Sequence, residues 1–123
     1  LLSAIDGLSA RLSAGPSVDF PHAPSDKEAW TVRRDQVDRV RITLGDGATA
    51  IQEVTQNLED AELRKLAAEY SEAVLGLKRA FDDMYIAANI GAAIPYRRAF
   101  QSGRTSSERE EAIGRAIGSR CGR

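Results

Sequence analysis

Residues 57–93 read NLEDAELRKLAAEYSEAVLGLKRAFDDMYIAANIGAA, and the fold of the whole chain turns on this stretch. Apolar side chains recur at Leu63, Leu66, Tyr70, Val74, Leu77, Phe81, Met84 or Tyr85 and Ala88, in steps of three and four that keep one stripe of an α-helix facing one way. Asn57 stands where an N-cap belongs, with Asp60 three residues on. Glu59 and Glu62 fall in the first turn, where acids suit the positive end of the helix dipole. At the far end Ala87, Ala88, Gly91, Ala92 and Ala93 form a run of small residues that lets another backbone approach. Pro95 then pushes Ile94 out of the helical region. The pattern predicts one long central helix over 57–93, ending at Ile94. At about 1.5 Å per residue it spans roughly 50 Å, more than a domain of this size needs, so it kinks near Gly76 or Gly91 or projects from the fold.

Upstream, Leu1, Leu2, Ile5, Leu8 and Leu12 recur at helical spacing, and Gly15-Pro16 is a stop signal. A short helix is expected at 1–14, too short to stand without tertiary support. The prolines at 16, 21 and 24 make 15–25 a connecting loop that carries Phe20 and His22. Ser25-Asp26-Lys27-Glu28 has the form of a capping box, so a second helix starts there. The region 26–56 then shows apolar or small residues at 37, 40, 44, 47, 51, 54 and 58, close to heptad spacing. Arg34 with Asp38 and Asp35 with Arg39 are spaced as i,i+4 ion pairs. Gly45-Asp46-Gly47 predicts a break, because glycine costs about 1 kcal/mol relative to alanine inside a helix. An alternative is a small hairpin around 39–54. There Val40, Ile42 and Leu44 alternate with Arg39, Arg41 and Thr43, Asp46-Gly47 supplies the turn, and the fold becomes α+β.

Downstream, Tyr96 to Ser102 allows a helical turn or two before Gly103. Thr105-Ser106-Ser107-Glu108 is a further capping box, opening a short helix at 105–118 with Ala112, Ile113, Ala116 and Ile117 as its apolar face. Fraying is expected after Gly118. The string Tyr96-Arg97-Arg98-Ala99-Phe100-Gln101-Ser102-Gly103-Arg104-Thr105, followed by Glu108, resembles a C-terminal stretch of ParA-type partition ATPases. The nucleotide-binding motifs that define that family do not occur in the chain, and the resemblance implies no function for it.

The chain has 123 residues, enough for one domain with a single core. Its 42% hydrophobic and 28% charged content is that of a globular chain rather than a disordered one. The net charge of −1 gives no global attraction to nucleic acid or anionic membrane. Charge is uneven, however. Glu53 to Asp83 holds eight acids against four bases, whereas Pro95 to the end holds seven arginines against Glu108, Glu110 and Glu111. Either the basic segment folds back on the acidic helix, or it presents a phosphate-binding surface. The one cysteine, Cys121, excludes an internal disulfide and a multi-cysteine zinc site, and leans toward the cytosol. No run approaches the ~20 apolar residues that span a bilayer. The chain opens at Leu1 without methionine, which points to a processed chain or a piece of a longer one.

Catalytic chemistry finds little support. The single histidine, His22, lies in a proline loop and Cys121 near a terminus, so no nucleophile, base and orienting group fall together. The glycines at 45, 47, 76, 91 and 103 match no phosphate-binding loop. Glu69 with Glu72 and Asp82 with Asp83 are the places to look for a metal, but they lack the Glu-x-x-His pairs of di-metal bundles.

The expectation is a mainly α protein, a helical bundle of three to five helices, with no enzyme activity, cofactor or metal. It serves as a structural or protein-interaction module, a subunit of a larger assembly or a homo-oligomer. Leu63, Leu66, Tyr70, Val74, Leu77, Phe81 and Tyr85 are its contact stripe, and other protein subunits or a second copy its partners. Virion or secretion-machine components and extracytoplasmic sensor bundles both suit this composition. A second possibility is nucleic-acid binding through Arg97, Arg98, Arg104 and Arg109, with Tyr96 and Phe100 stacking on bases. A third is a small-molecule pocket lined by Tyr70, Phe81, Tyr85 and Trp30.

Overall fold

The computed structural model describes residues 1–15 and 20–122. Four helices follow one another: α1 (Leu2–Ala14), α2 (Lys27–Thr55), α3 (Ala61–Ile90) and α4 (Ala93–Arg120). No strand occurs among the described residues, so the mainly α expectation holds and the hairpin at 39–54 does not form. The first helix falls where its leucine spacing placed it. Of the loop expected at 15–25, residues 16–19 lie outside the described residues.

α2 runs unbroken for 29 residues through Gly45 and Gly47, which overturns the expected break. Tertiary packing outweighs the propensity cost. A Cβ at Gly47 would lie 2.6 Å from Leu8 Cδ1, so the missing side chain is what lets α1 seat against α2. Two threonines in this region are accommodated within the helix. Thr43 and Thr49 donate their hydroxyls to the carbonyls of Arg39 and Gly45, four residues back, at 2.9 and 3.1 Å. The helix begins one residue later than the capping box suggested, with Asp26 Oδ1 accepting from the Ala29 amide at 2.8 Å. Arg34 pairs with Asp35, and Asp38 with Arg41, in place of the expected i,i+4 pairs.

α3 is shorter at both ends than 57–94. Its N-cap is Asp60, which accepts from the amides of Glu62 and Leu63 at 3.0 and 3.3 Å. Asn57 belongs to the turn at 56–60 that follows α2, where its amide donates to the Val54 carbonyl. At the other end Gly91 adopts φ 67°, ψ 34°. Its amide donates to Ala88 and that of Ala92 to Ala87, the paired bonds of a Schellman stop. The positive φ suits only a residue without Cβ, which is why the chain turns here and not at Ile94-Pro95. Pro95 instead lies in the first turn of α4, where a helix leaves its amides unpaired and proline is tolerated.

α4 is one helix of 28 residues. The expected stop at Gly103 and restart at 105–118 are absent, because Gly103 faces α3, where a Cβ would stand 3.0 Å from Ala80 Cβ. The C-terminal end does not fray after Gly118. The Arg120 guanidinium pairs at 2.9 Å with both Asp60 and Glu62 at the start of α3. The three long helices have 29, 30 and 28 residues, so α3 neither kinks nor projects: its length matches its neighbours.

α3 is the central rod, packed antiparallel against α2 on one side and α4 on the other, while the backbones of α2 and α4 do not meet. The gap between them is filled in two ways. At one end α1 lies in it, placing Ile5 and Leu8 among Leu44, Ile51, Tyr70, Val74, Ile113 and Ile117. At the other end side chains bridge it, with Trp30 edge-on to Tyr96 at 5.5 Å within a cluster that holds Val37, Met84 and Ala88.

Candidate interaction surfaces

The stripe expected to meet a partner faces the chain's own helices. Tyr70 and Val74 are fully buried, while Leu63, Leu66, Leu77, Phe81 and Tyr85 are half-buried against the two cores. Tyr70 donates its hydroxyl to the Glu110 carboxylate of α4. Burial first, then that hydrogen bond and the nearby carboxylates of Glu110 and Asp6, push the phenol well above its ordinary pKa, so it stays protonated as a donor. Tyr85 lies under the Arg41 guanidinium at 4.3 Å. Arg41 in turn bonds Asp38 and Asp82, and Lys78 bonds Asp82 at 2.9 Å. Burial lowers the Arg41 pKa, but the two carboxylates outweigh it and the net shift is upward. These residues tie α2 to α3.

The residues expected to line a small-molecule pocket do not line one together: Trp30 and Tyr85 pack in one cluster, Tyr70 in the other and Phe81 against both. Tyr85 is covered by Arg41. Tyr96 is fully buried, so it is not available to stack on a base. Among the described residues no group of three or more histidine, cysteine or acidic side chains is placed to hold a metal ion. No helix among them is long and apolar enough to cross a membrane.

The arginines of α4 divide. Arg120 folds back on the acidic start of α3, as the charge distribution suggested. Its bonds hold the Asp60 carboxyl below the usual carboxylate range and raise its own guanidinium. Arg97, Arg98, Arg104 and Arg109 are exposed. Among the described residues they form no ion pair within 4.0 Å.

One surface was missed in the sequence. Ile86, Ile90 and Ile94 are 61%, 72% and 60% exposed, the first two on the last turns of α3 and the third at the start of α4. Ile86, Ile90 and Pro95 line a groove of about 440 Å³ between the two helices, with Asp83 on its α3 side and Arg98 on its α4 side. Ile86 and Ile90 stand four apart, out of phase with the inner stripe. That is the signal that could have revealed them. The other large exposed apolar residues, Val32 and Ile42, are on α2 and apart from this groove, and scattered singles of that kind are ordinary.

Compared with known protein families, with curated proteins and with solved structures, the chain matches none of them.

Proposed function

We propose that the protein is a non-catalytic helical interaction module that associates with copies of itself through the corner formed by Ile86, Ile90, Ile94 and Pro95. The observation that carries this reading is the pair of exposed isoleucines, Ile86 and Ile90, that line one groove with Pro95, with the exposed Ile94 next to Pro95 in sequence, in a chain that buries its other stripe internally. Contiguous apolar patches of this kind mark association sites. The groove is also self-complementary in charge. Across a two-fold axis, Arg98 of one copy faces Asp83 of the other while isoleucine meets isoleucine, as an isologous interface requires. The apolar area is small beside the ~800 Å² per partner of a standard interface, so weak, concentration-dependent association is expected.

Sedimentation velocity across a concentration series tests this. The wild-type chain shows concentration-dependent association, and Ile90→Lys abolishes it while leaving helicity and Tm unchanged, because Ile90 is exposed and a cation suits the C-terminal end of α3. A compact monomer at all concentrations overturns the reading.

The unpaired arginines favour a second reading, a nucleic-acid surface on α4. Binding to a duplex at low salt that weakens steeply with salt, and is lost in the triple variant Arg97→Ala, Arg98→Ala, Arg104→Ala, is its signature. Binding that is indifferent to salt and to those substitutions removes it.

A further inference from the structure

Between the half of the gap filled by α1 and the half closed by Trp30 and Tyr96, α2 and α4 leave a cavity of about 290 Å³. α3 supplies its floor with Leu77, Phe81 and Met84, and Leu44 and Phe100 form parts of its walls. Phe20 is the roof. Its ring stands edge-on to Phe81 at 5.5 Å, and the Arg33 guanidinium lies 5.9 Å from its centroid. Arg33 also donates to the His22 carbonyl at 2.6 Å and to the Tyr96 hydroxyl at 2.9 Å, which ties the loop segment carrying Phe20 to both α2 and α4. Well-packed interiors hold few voids larger than a water molecule. This space is open to solvent on one side, and apolar clefts with a few polar groups at the edge are the usual form of small-ligand sites.

The polar groups of the lining are two residues one turn apart on α4: Arg104, exposed, and Ser107, half-buried. They mark the side of the cavity that reaches water. A cation and a hydroxyl beside an apolar chamber match one ligand chemistry, an anionic head on an apolar chain. The chamber sits at the lower end of the ~300–1,000 Å³ typical of ligand pockets, so the chain is short.

We infer that this cavity binds a medium-chain monocarboxylate, with its hydrocarbon chain between Phe20, Leu77 and Met84 and its carboxylate paired with Arg104 and Ser107. Burial of the chain supplies most of the affinity. The exposed arginine adds the modest contribution of a surface ion pair and selects the acid over an uncharged analogue. This inference is independent of the self-association proposed above, since the cavity faces α2 and the isoleucine groove lies between α3 and α4.

Methyl-resolved NMR titration with sodium octanoate, and with octanol as the uncharged analogue, tests it. Saturable shifts are expected at the methyls of Leu44, Leu77 and Met84, with those of Ile86, Ile90 and Ile94 unmoved. Arg104→Ala should weaken octanoate about 1.4-fold to fivefold, the scale of an exposed ion pair, and leave octanol unchanged. Ser107→Phe, which pushes a ring into the mouth, should reduce binding of both. Should that variant fail to fold, the change in the octanoate-to-octanol ratio on Arg104→Ala still decides the matter. Absence of saturable shifts at the cavity methyls overturns the inference. So do shifts of equal size at the isoleucine groove, or an equal response of both ligands to Arg104→Ala.

Discussion

The two halves of the gap between α2 and α4 solve the same packing problem with different materials. In one half a whole helix, α1, seats its Leu8 on the bare backbone of Gly47, and the contact is one of backbone-level shape. In the other half Trp30, Tyr96, Phe20 and Arg33 reach across individually. Helix seating leaves little free space, because ridges fill grooves continuously. Bridging by separate side chains leaves a void wherever two bridges do not touch, and the cavity beneath Phe20 is that remainder. The candidate ligand site therefore lies where α1 ends, with Leu12 in its lining.

The bridged half is expected to be the more sensitive to a single substitution. Trp30 is buried against Tyr96 and packs on Gly91, with Cδ1 3.5 Å from where a Cβ would stand. Trp30→Ala should cost about 3–5 kcal/mol, the usual range for deleting a buried aromatic, measured by urea unfolding. At the seated half, Gly47→Val should cost about 1–3 kcal/mol through overpacking against Leu8, itself buried and unable to move aside. Hydrogen exchange should show the loss concentrated in α1.

Gly45 sharpens the contrast. A Cβ there meets only the flexible end of Lys78, at 3.1 Å, so Gly45→Ala should stabilise by about 0.5–1 kcal/mol through helix propensity alone. The smallest effect is expected at Asp60. Its carboxyl is held below the usual value by Arg120 and the helix amides. Its contribution is therefore present above the carboxyl's unfolded pKa and is lost as pH falls through that value toward the folded one. Comparing the acid limb of thermal unfolding with that of Asp60→Asn measures it, and the variant should have the flatter pH dependence.

Much of the fold was legible in local patterns. The leucine spacing of α1, the inner stripe of α3 and the acids at its start all depend on neighbours within a few residues. What could not be read depends on partners distant in sequence. Gly47 looks like a helix breaker until Leu8 is opposite it. Gly103 looks like a boundary until Ala80 is, and Pro95 looks like a terminator until Gly91 has already turned the chain. The stripe expected to contact a partner packs against α1, α2 and α4 of the same chain. Ile86 and Ile90 carry no mark in sequence except being apolar on the wrong phase. The cavity carries none at all, since its wall residues come from the start of the chain and from all three long helices.

The tight turns at 56–60 and at Gly91-Ala92 give the bundle a kinetic character. Each side of α3 is paired with the helix adjacent to it in sequence, so most of the structure forms from contacts of short loop closure, the class of topology that folds within microseconds to milliseconds. α1 is held less fully than the long helices: it packs chiefly on α2, through Leu8 at Gly47, and more lightly on α4. Where Ile5 comes to lie in a groove with Gly118 and Ser119, the contact joins opposite ends of the described chain, and the loop to be closed is the longest available. α1 is therefore expected to dock last and to open first, as a locally unfolding unit whose release exposes the core beneath it before the three long helices part.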